Sequence, residues 1–220
     1  MKAAAGAKVA VVIMTDGRTS HAGLIDGEVL AETRRKEALQ ASLKLGLRPD
    51  DYIFLDFEDQ RLAAHAVAAQ RQVVALLERF DPQQVFVPHR RDRLDDHVAT
   101  FEIVTAAMQS HCRRIVRFEY PVWLWNTWPW TSETLRTRNP ALDATRILSD
   151  IAAVAIGCRT RIDVRSVLDR KREALAAYAS QIERRDNDPR WSILADVAEG
   201  TFVERFMNGV EVFRRTAIGR

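Results

Sequence analysis

The sequence predicts an α/β fold of three layers, Rossmann-like, with a mainly parallel sheet. Three observations carry this. Short apolar runs rich in β-branched residues alternate with longer stretches of helical period. The first run, Val9 to Met14, is unbroken by polar residues, the habit of a strand covered on both faces. Each run also ends in a polar or proline-marked loop rather than a two-residue hairpin turn, which favours crossover connections.

The elements follow in order. Val9 to Met14 is the first strand and opens into the polar loop Thr15 to Gly27. Glu28 to Leu45 reads as a helix closed by Gly46, the usual left-handed stop. Tyr52 to Phe57 is a second strand. His65 to Phe80 is a helix with Val73, Val74, Leu76, Leu77 and Phe80 on its apolar side, ended by Pro82. Val85 to Val87 is a short third strand stopped by Pro88, and the charged loop His89 to Asp96 follows. His97 to Ser110 is helical and Ile115 to Tyr120 is a fourth strand. Beyond it the pattern loosens. Ile162 to Val164 fits a short strand, Leu168 to Ile182 a strong helix, and Phe202 to Phe213 a weaker one. No linker or repeat interrupts the 220 residues, so one domain over 1–220 is expected.

Composition excludes several classes. The hydrophobic fraction is 47% and the charged fraction 29%, as in folded globular chains. Net charge is only +3, with acids interspersed among the bases, which argues against nucleic acid as a partner. No apolar run approaches the ~20 residues of a membrane helix. Cys112 and Cys158 form neither a CxxC nor a disulfide framework, which suits a reducing, cytoplasmic setting. In doubly wound sheets chemistry sits in the loops after strand ends. Two such loops stand out, Thr15 to His21 and Pro88 to His97, and both are expected at one sheet edge.

The ordered set Val11-Val12-Ile13-Met14-Thr15-Asp16-Gly17, Arg34-Arg35-Lys36-Glu37 before Leu45-Gly46, Leu55-Asp56-Phe57 with Asp59, Pro88 to His97, Glu119-Tyr120-Pro121-Val122-Trp123, and Lys171 to Gln181 resembles one family. It is similar to the zinc-dependent N-acetylglucosaminyl deacetylases, the LmbE-like or PIG-L group. The resemblance implies a hydrolase that removes an N-acetyl group from a small-molecule sugar or glycoconjugate, with Zn2+ activating water. It implies zinc ligands from an AHPDDE motif after the family's first strand and from the histidine of an HPDH motif. It further implies an aspartate base from the first motif.

Two departures qualify this. Val9 to Met14 matches the family's second strand, so its first, central strand and the AHPDDE motif have no counterpart in the sequence. A start codon placed too late, a decayed gene or a re-paired sheet each accounts for that. In the second motif His97 matches the metal ligand and Asp96 the aspartate before it. Leu94, however, stands where the family places an oxyanion-facing histidine, and leucine donates no hydrogen bond. By the resemblance, the catalytic set is incomplete, and this chain binds zinc weakly or not at all and is inactive. The alternative is a non-catalytic sugar-binding or protein-interaction protein of the same fold.

The individual residues carry paired readings. His97 is a metal ligand or a structural histidine. Asp96 orients the His97 ring or caps the helix that begins there. Asp92 and Asp95 ligate or, preferably, line a solvent-facing turn. His89, after Pro88 at a strand end, faces a cleft. Asp16 and His21 lie in the loop that the resemblance places at the substrate, though Asp16-Gly17 also fits an ordinary turn. Arg34 faces substrate or pairs with Glu37 along one helix face. Trp123, Trp125, Trp128 and Trp130 form a sugar platform or, preferably, pack inside or against a second subunit in a homo-oligomer.

Overall fold

The computed structural model describes residues 1–126, 129–130 and 140–219. Its strands and helices follow the alternation above. They are β1 (Val11–Thr15), α1 (Gly27–Lys44), β2 (Tyr52–Phe57), α2 (Ala66–Phe80), β3 (Gln84–Pro88), α3 (Asp95–Ser110) and β4 (Ile115–Tyr120). After these come α4 (Pro140–Ile151), β5 (Thr160–Asp163), α5 (Leu168–Ala176), α6 (Ala179–Ile182), α7 (Thr201–Phe206) and β6 (Val210–Ile218). The class is mixed α/β, and the strands divide between two sheets, β1-β2 and β3-β4-β6-β5.

Backbone contacts group the chain into two compact units. The first comprises Met1–Arg61 with Asp163–Val210. In it β1 and β2 pair in parallel, with Val11 opposite Tyr52 and a bulge between Ile13 and Thr15. Parallel pairing requires a crossover, and α1 provides it. Asp26 caps α1 by accepting the N–H groups of Glu28 and Val29, the arrangement that satisfies otherwise orphaned donors. Leu30, Ala38 and Ala41 are its buried stripe. Gly46, at φ +75°, ends it as expected. All five β1 residues are half-buried. The full burial suggested by their apolar run is therefore not reached, and among the described residues β1 pairs with β2 alone.

The second unit comprises Leu62–Ile162 with Glu211–Arg220. Here β3 and β4 are parallel, with Phe86 opposite Phe118. Strand β6 adds antiparallel to β4, with Phe118 opposite Arg215. Leu77, Ile103, Met108 and Ile115 lie in its core, and Phe86, Phe118 and Phe213 meet ring to ring.

Two expected helices differ. The stretch Leu168 to Ile182 breaks into α5 and α6, because the carboxylate of Glu37 takes both the N–H and the hydroxyl of Ser180, at 2.6 and 2.7 Å. That acceptor substitutes for the intrahelical partners that a continuous helix would give. The stretch Phe202 to Phe213 is helical only to Phe206. Gly209 adopts φ +83°, and its missing Cβ leaves room for Arg165, whose Cγ would lie 2.7 Å from one. The alternating segment beyond it becomes β6.

Candidate functional site

In the first unit, the bulged end of β1 feeds a loop tied down by its own polar groups. The Asp16 carboxylate accepts the Arg18 N–H at 3.1 Å and the Arg18 Nε at 2.7 Å. Arg18 also reaches Glu28. Thr19 donates its N–H and hydroxyl to Asp59. Asp16 thus takes the turn role weighed for it while its residue also lines a pocket. That pocket, about 480 Å³, is walled by Thr15, Asp16, Arg34, Asp59, Tyr178 and Gln181 among others.

Arg34 sets the pocket's chemistry. Arg18 is paired with Asp16 and Arg35 with Asp56, and the Arg34 Nη2 instead donates to the neutral hydroxyl of Ser20 at 2.8 Å. Its Nε is buried and has no hydrogen-bond partner among the described residues. Burial lowers its pKa, against the opposing fields of Asp59 and Glu37. A guanidinium is all donors and no acceptor, so the buried Nε–H is left without an acceptor while the residue lines the pocket. The expected partner Glu37 is turned away to Ser180. Gly17, at φ +70°, makes the approach possible, since a Cβ there would stand 3.0 Å from the Arg34 Cδ. Burial also pushes the Tyr178 phenol up to about 12, keeping it a neutral donor.

His21 does not face the pocket. It is 5% exposed, its ring stacked on Trp191 with centroids 3.9 Å apart. Its Nε2 lies 3.0 Å from the Ser192 carbonyl and its Nδ1 3.0 Å from the Ser20 hydroxyl.

In the second unit, the loop between β3 and α3 is organised by Asp92. This residue is 5% exposed, so the solvent-facing turn preferred for it is corrected; Asp95 is the exposed one. One Asp92 oxygen accepts the N–H groups of Val122 and Trp123 at 3.1 and 3.0 Å. The other meets the His97 Nδ1 at 3.0 Å and the Arg93 N–H at 2.9 Å. Burial alone would raise the Asp92 pKa, but His97 and the Trp123 and Val122 amides outweigh it and hold the group below the ordinary carboxylate range. A carboxylate only accepts, so the His97 proton is on Nδ1 and its Nε2 lone pair is free for another partner. Asp96, the residue expected to orient that ring, accepts the Leu62 N–H at 3.1 Å instead. It sits inside the first turn of α3, whose N-cap is Leu94. Leu94 is 43% exposed.

His89 is 1% exposed, not cleft-facing. Its Nδ1 accepts the Arg91 N–H at 3.2 Å, which leaves the proton on Nε2. Burial first, then Arg90 and Arg91, lowers its pKa to about 4. Glu119, wholly buried, lies 3.9 Å away and would by itself favour a charged ring. Its charge is already matched by Arg117 at 3.0 Å and by Arg90 and Arg214 at 3.6 Å, so desolvation prevails.

Of the tryptophans, Trp123 holds Asp92 through its backbone, and Trp125 packs edge-on to Trp130 at 5.1 Å. Trp128 lies outside the described residues. Sequence reasoning missed Asp92 as the organiser and gave Ser20, Trp191 and Glu119 no individual role. The dense charge of the loop masked Asp92. A buried glutamate inside an apolar strand was the one legible hint for Glu119.

Among the described residues no group of three or more His, Cys, Asp or Glu side chains is arranged to hold a metal ion. His97 offers one free nitrogen, whereas a catalytic zinc takes three protein ligands. The described residues therefore do not fit the metal that the resemblance implies.

The pattern of the family described as PIG-L: GlcNAc-PI de-N-acetylase matches residues 1–108. Among solved structures, N,N'-diacetylchitobiose deacetylase from Pyrococcus horikoshii aligns with a TM-score of 0.62 at 16% identity, over 98% of this chain and 75% of that one. The A40926 pseudoaglycone deacetylase Dbv21 aligns at 0.58 and 19%, over 98% and 87%. GalB, the 4-carboxy-2-hydroxymuconate hydratase of Pseudomonas putida KT2440, aligns at 0.54 and 17%, over 99% and 87%. At such identities these likenesses establish the fold, which two reaction types share. A search of curated proteins found no match.

Proposed function

Because residues 1–108 carry a PIG-L family region, we propose that the chain is built for de-N-acetylase chemistry, the hydrolysis of an N-acetyl amide on a sugar or glycoconjugate. The observation that supports this most is Arg34. A guanidinium lining a pocket of about 480 Å³ with Asp59, Tyr178 and Gln181 suits a ligand rich in hydroxyl and carbonyl oxygens. A cavity of this size lies within the usual range for small-molecule sites. Asp16 and Asp59 add acceptors for hydroxyl protons. In the second unit, Asp92 presents the His97 Nε2 as a ligand or base.

In the family's chemistry zinc lowers the pKa of the attacking water. The described residues bring a single candidate ligand to such an ion, His97. The 220-residue chain alone is accordingly inactive as a deacetylase in this reading. A second reading, a non-catalytic sugar binder, is favoured by Leu94, whose side chain cannot steady an oxyanion.

Both readings predict sugar binding, and calorimetric titration with N-acetylglucosamine and N,N'-diacetylchitobiose tests it. Binding that weakens at least tenfold in Arg34→Gln is expected. Equal binding by parent and variant, or none by the parent, removes the pocket from the account.

A further inference from the structure

We propose that Ser20 is a nucleophile, activated by His21, that accepts an acyl group from a carboxylic ester. The inference is independent of the amide-hydrolysis reading and needs no metal.

The hydrogen bonds fix the proton positions. The Ser192 carbonyl, 3.0 Å from the His21 Nε2, can only accept, so the ring proton is on Nε2. The Nδ1 is then unprotonated, and the Ser20 hydroxyl 3.0 Å away donates to it. The Ser20 oxygen in turn accepts from the Arg34 Nη2 at 2.8 Å. This is the relation of nucleophile, base and orienting group by which an activated hydroxyl is recognised. The orienting group is a backbone carbonyl rather than a carboxylate.

Three surroundings support the assignment. Ser20 is exposed while His21 behind it is buried, so substrate can reach the hydroxyl and water reaches the base poorly. Arg34 places a fixed positive charge on the serine oxygen, which favours the alkoxide. The Arg34 Nη2 that holds the serine oxygen at 2.8 Å also brings the guanidinium charge beside the carbonyl oxygen as that becomes negative. The His21 ring also stacks on Trp191, 20° from parallel, so the imidazolium formed in the step lies against an aromatic face.

The step balances. The Ser20 Oγ attacks the ester carbonyl carbon, and an Oγ–C bond forms as the hydroxyl proton passes to the His21 Nδ1. The C–O bond to the alcohol then breaks, and that proton leaves on the departing alcohol oxygen. Water repeats the sequence on acyl-Ser20, releasing the acid. An ester is the assigned class because its alkoxide departs more readily than an amine anion and so needs no metal.

A fluorophosphonate probe tests this without any sugar substrate. Here the Oγ–P bond forms, the P–F bond breaks, and fluoride leaves with the proton relayed by His21. The expected result is an intact-mass gain of one phosphonyl group, mapped by peptide sequencing to Ser20. The gain should be absent in Ser20→Ala and slowed about 100-fold in His21→Gln. Ser20→Ala strands the buried His21 Nδ1, so its melting temperature should fall by a few degrees while the variant stays folded at the labelling temperature. No adduct under conditions that label a serine hydrolase, or an adduct that persists in Ser20→Ala, overturns the proposal. Acetate release from N-acetylated sugars bears only on the deacetylase reading, so the two fail separately.

Discussion

His89 should make the second unit acid-sensitive in a window set by its burial. Its ring is 1% exposed and its pKa is held near 4, against about 6.5 when unfolded. The sign follows from the depressed value. Between these pH values the unfolded chain binds a proton that the folded one refuses, so stability falls as pH drops from about 6.5 to about 4 and then levels off. The full difference, about 2.5 pH units, corresponds to roughly 3 kcal/mol, and about 2.5 kcal/mol of it is gone by pH 4.5. The matched variant is His89→Asn, whose side-chain oxygen can accept the Arg91 N–H in place of Nδ1 but does not titrate. Urea unfolding of both proteins at pH 7.5 and 4.5, followed by tryptophan fluorescence, isolates the histidine, because every other titrating group is common to the two. The parent should lose about 2.5 kcal/mol more than the variant. Equal losses would refute the claim that desolvation, rather than the Glu119 carboxylate 3.9 Å away, governs this ring.

Asp92→Asn should move the His97 proton. With the amide oxygen kept on the Val122 and Trp123 N–H groups, the amide NH2 faces the ring and the Arg93 N–H, so Arg93 loses its acceptor and the ring must accept at Nδ1. Nitrogen-15 NMR should report a switch from the Nδ1–H to the Nε2–H tautomer, and an unchanged tautomer would contradict the assignment. Glu37→Ala removes two short charge-assisted bonds and strands the buried Ser180 N–H, so a loss of about 3 kcal/mol in urea unfolding is expected. Gly17→Ala places a methyl 3.0 Å from the Arg34 Cδ at a positive φ. It should cost about 1–2 kcal/mol and slow phosphonylation of Ser20, both measurable on one preparation.

Much of the fold was legible because local signals and tertiary packing agree there. Tyr52 to Phe57 and Ile115 to Tyr120 form strands over the spans their composition predicts, and Gly46 and Pro82 stop helices as glycine and proline should. The failures share a cause: a distant partner overrode the local pattern. The Glu37 carboxylate reaches Ser180 across 143 residues of sequence and splits a helix that reads as continuous. Strand β6 is recognisable only once β4 is there to pair with it. At the site, the sequence named His97 and Arg34 as candidates and offered Asp96 as either a partner of the His97 ring or a helix cap, whereas it is Asp92 that faces the ring. Which carboxylate faces a histidine depends on the loop's path, and adjacent acids in a charged run are indistinguishable by type. The bonds linking Ser20, His21 and Ser192 were invisible for the same reason, since Ser192 lies 171 residues from His21.

The proposed reading is de-N-acetylase chemistry in a chain whose described residues bring together no complete metal-assisted centre. Acetate release from N,N'-diacetylchitobiose, with and without added Zn2+, tests it most directly. No release above the uncatalysed rate is expected in either condition. Zinc-dependent release that disappears in His97→Ala would contradict it.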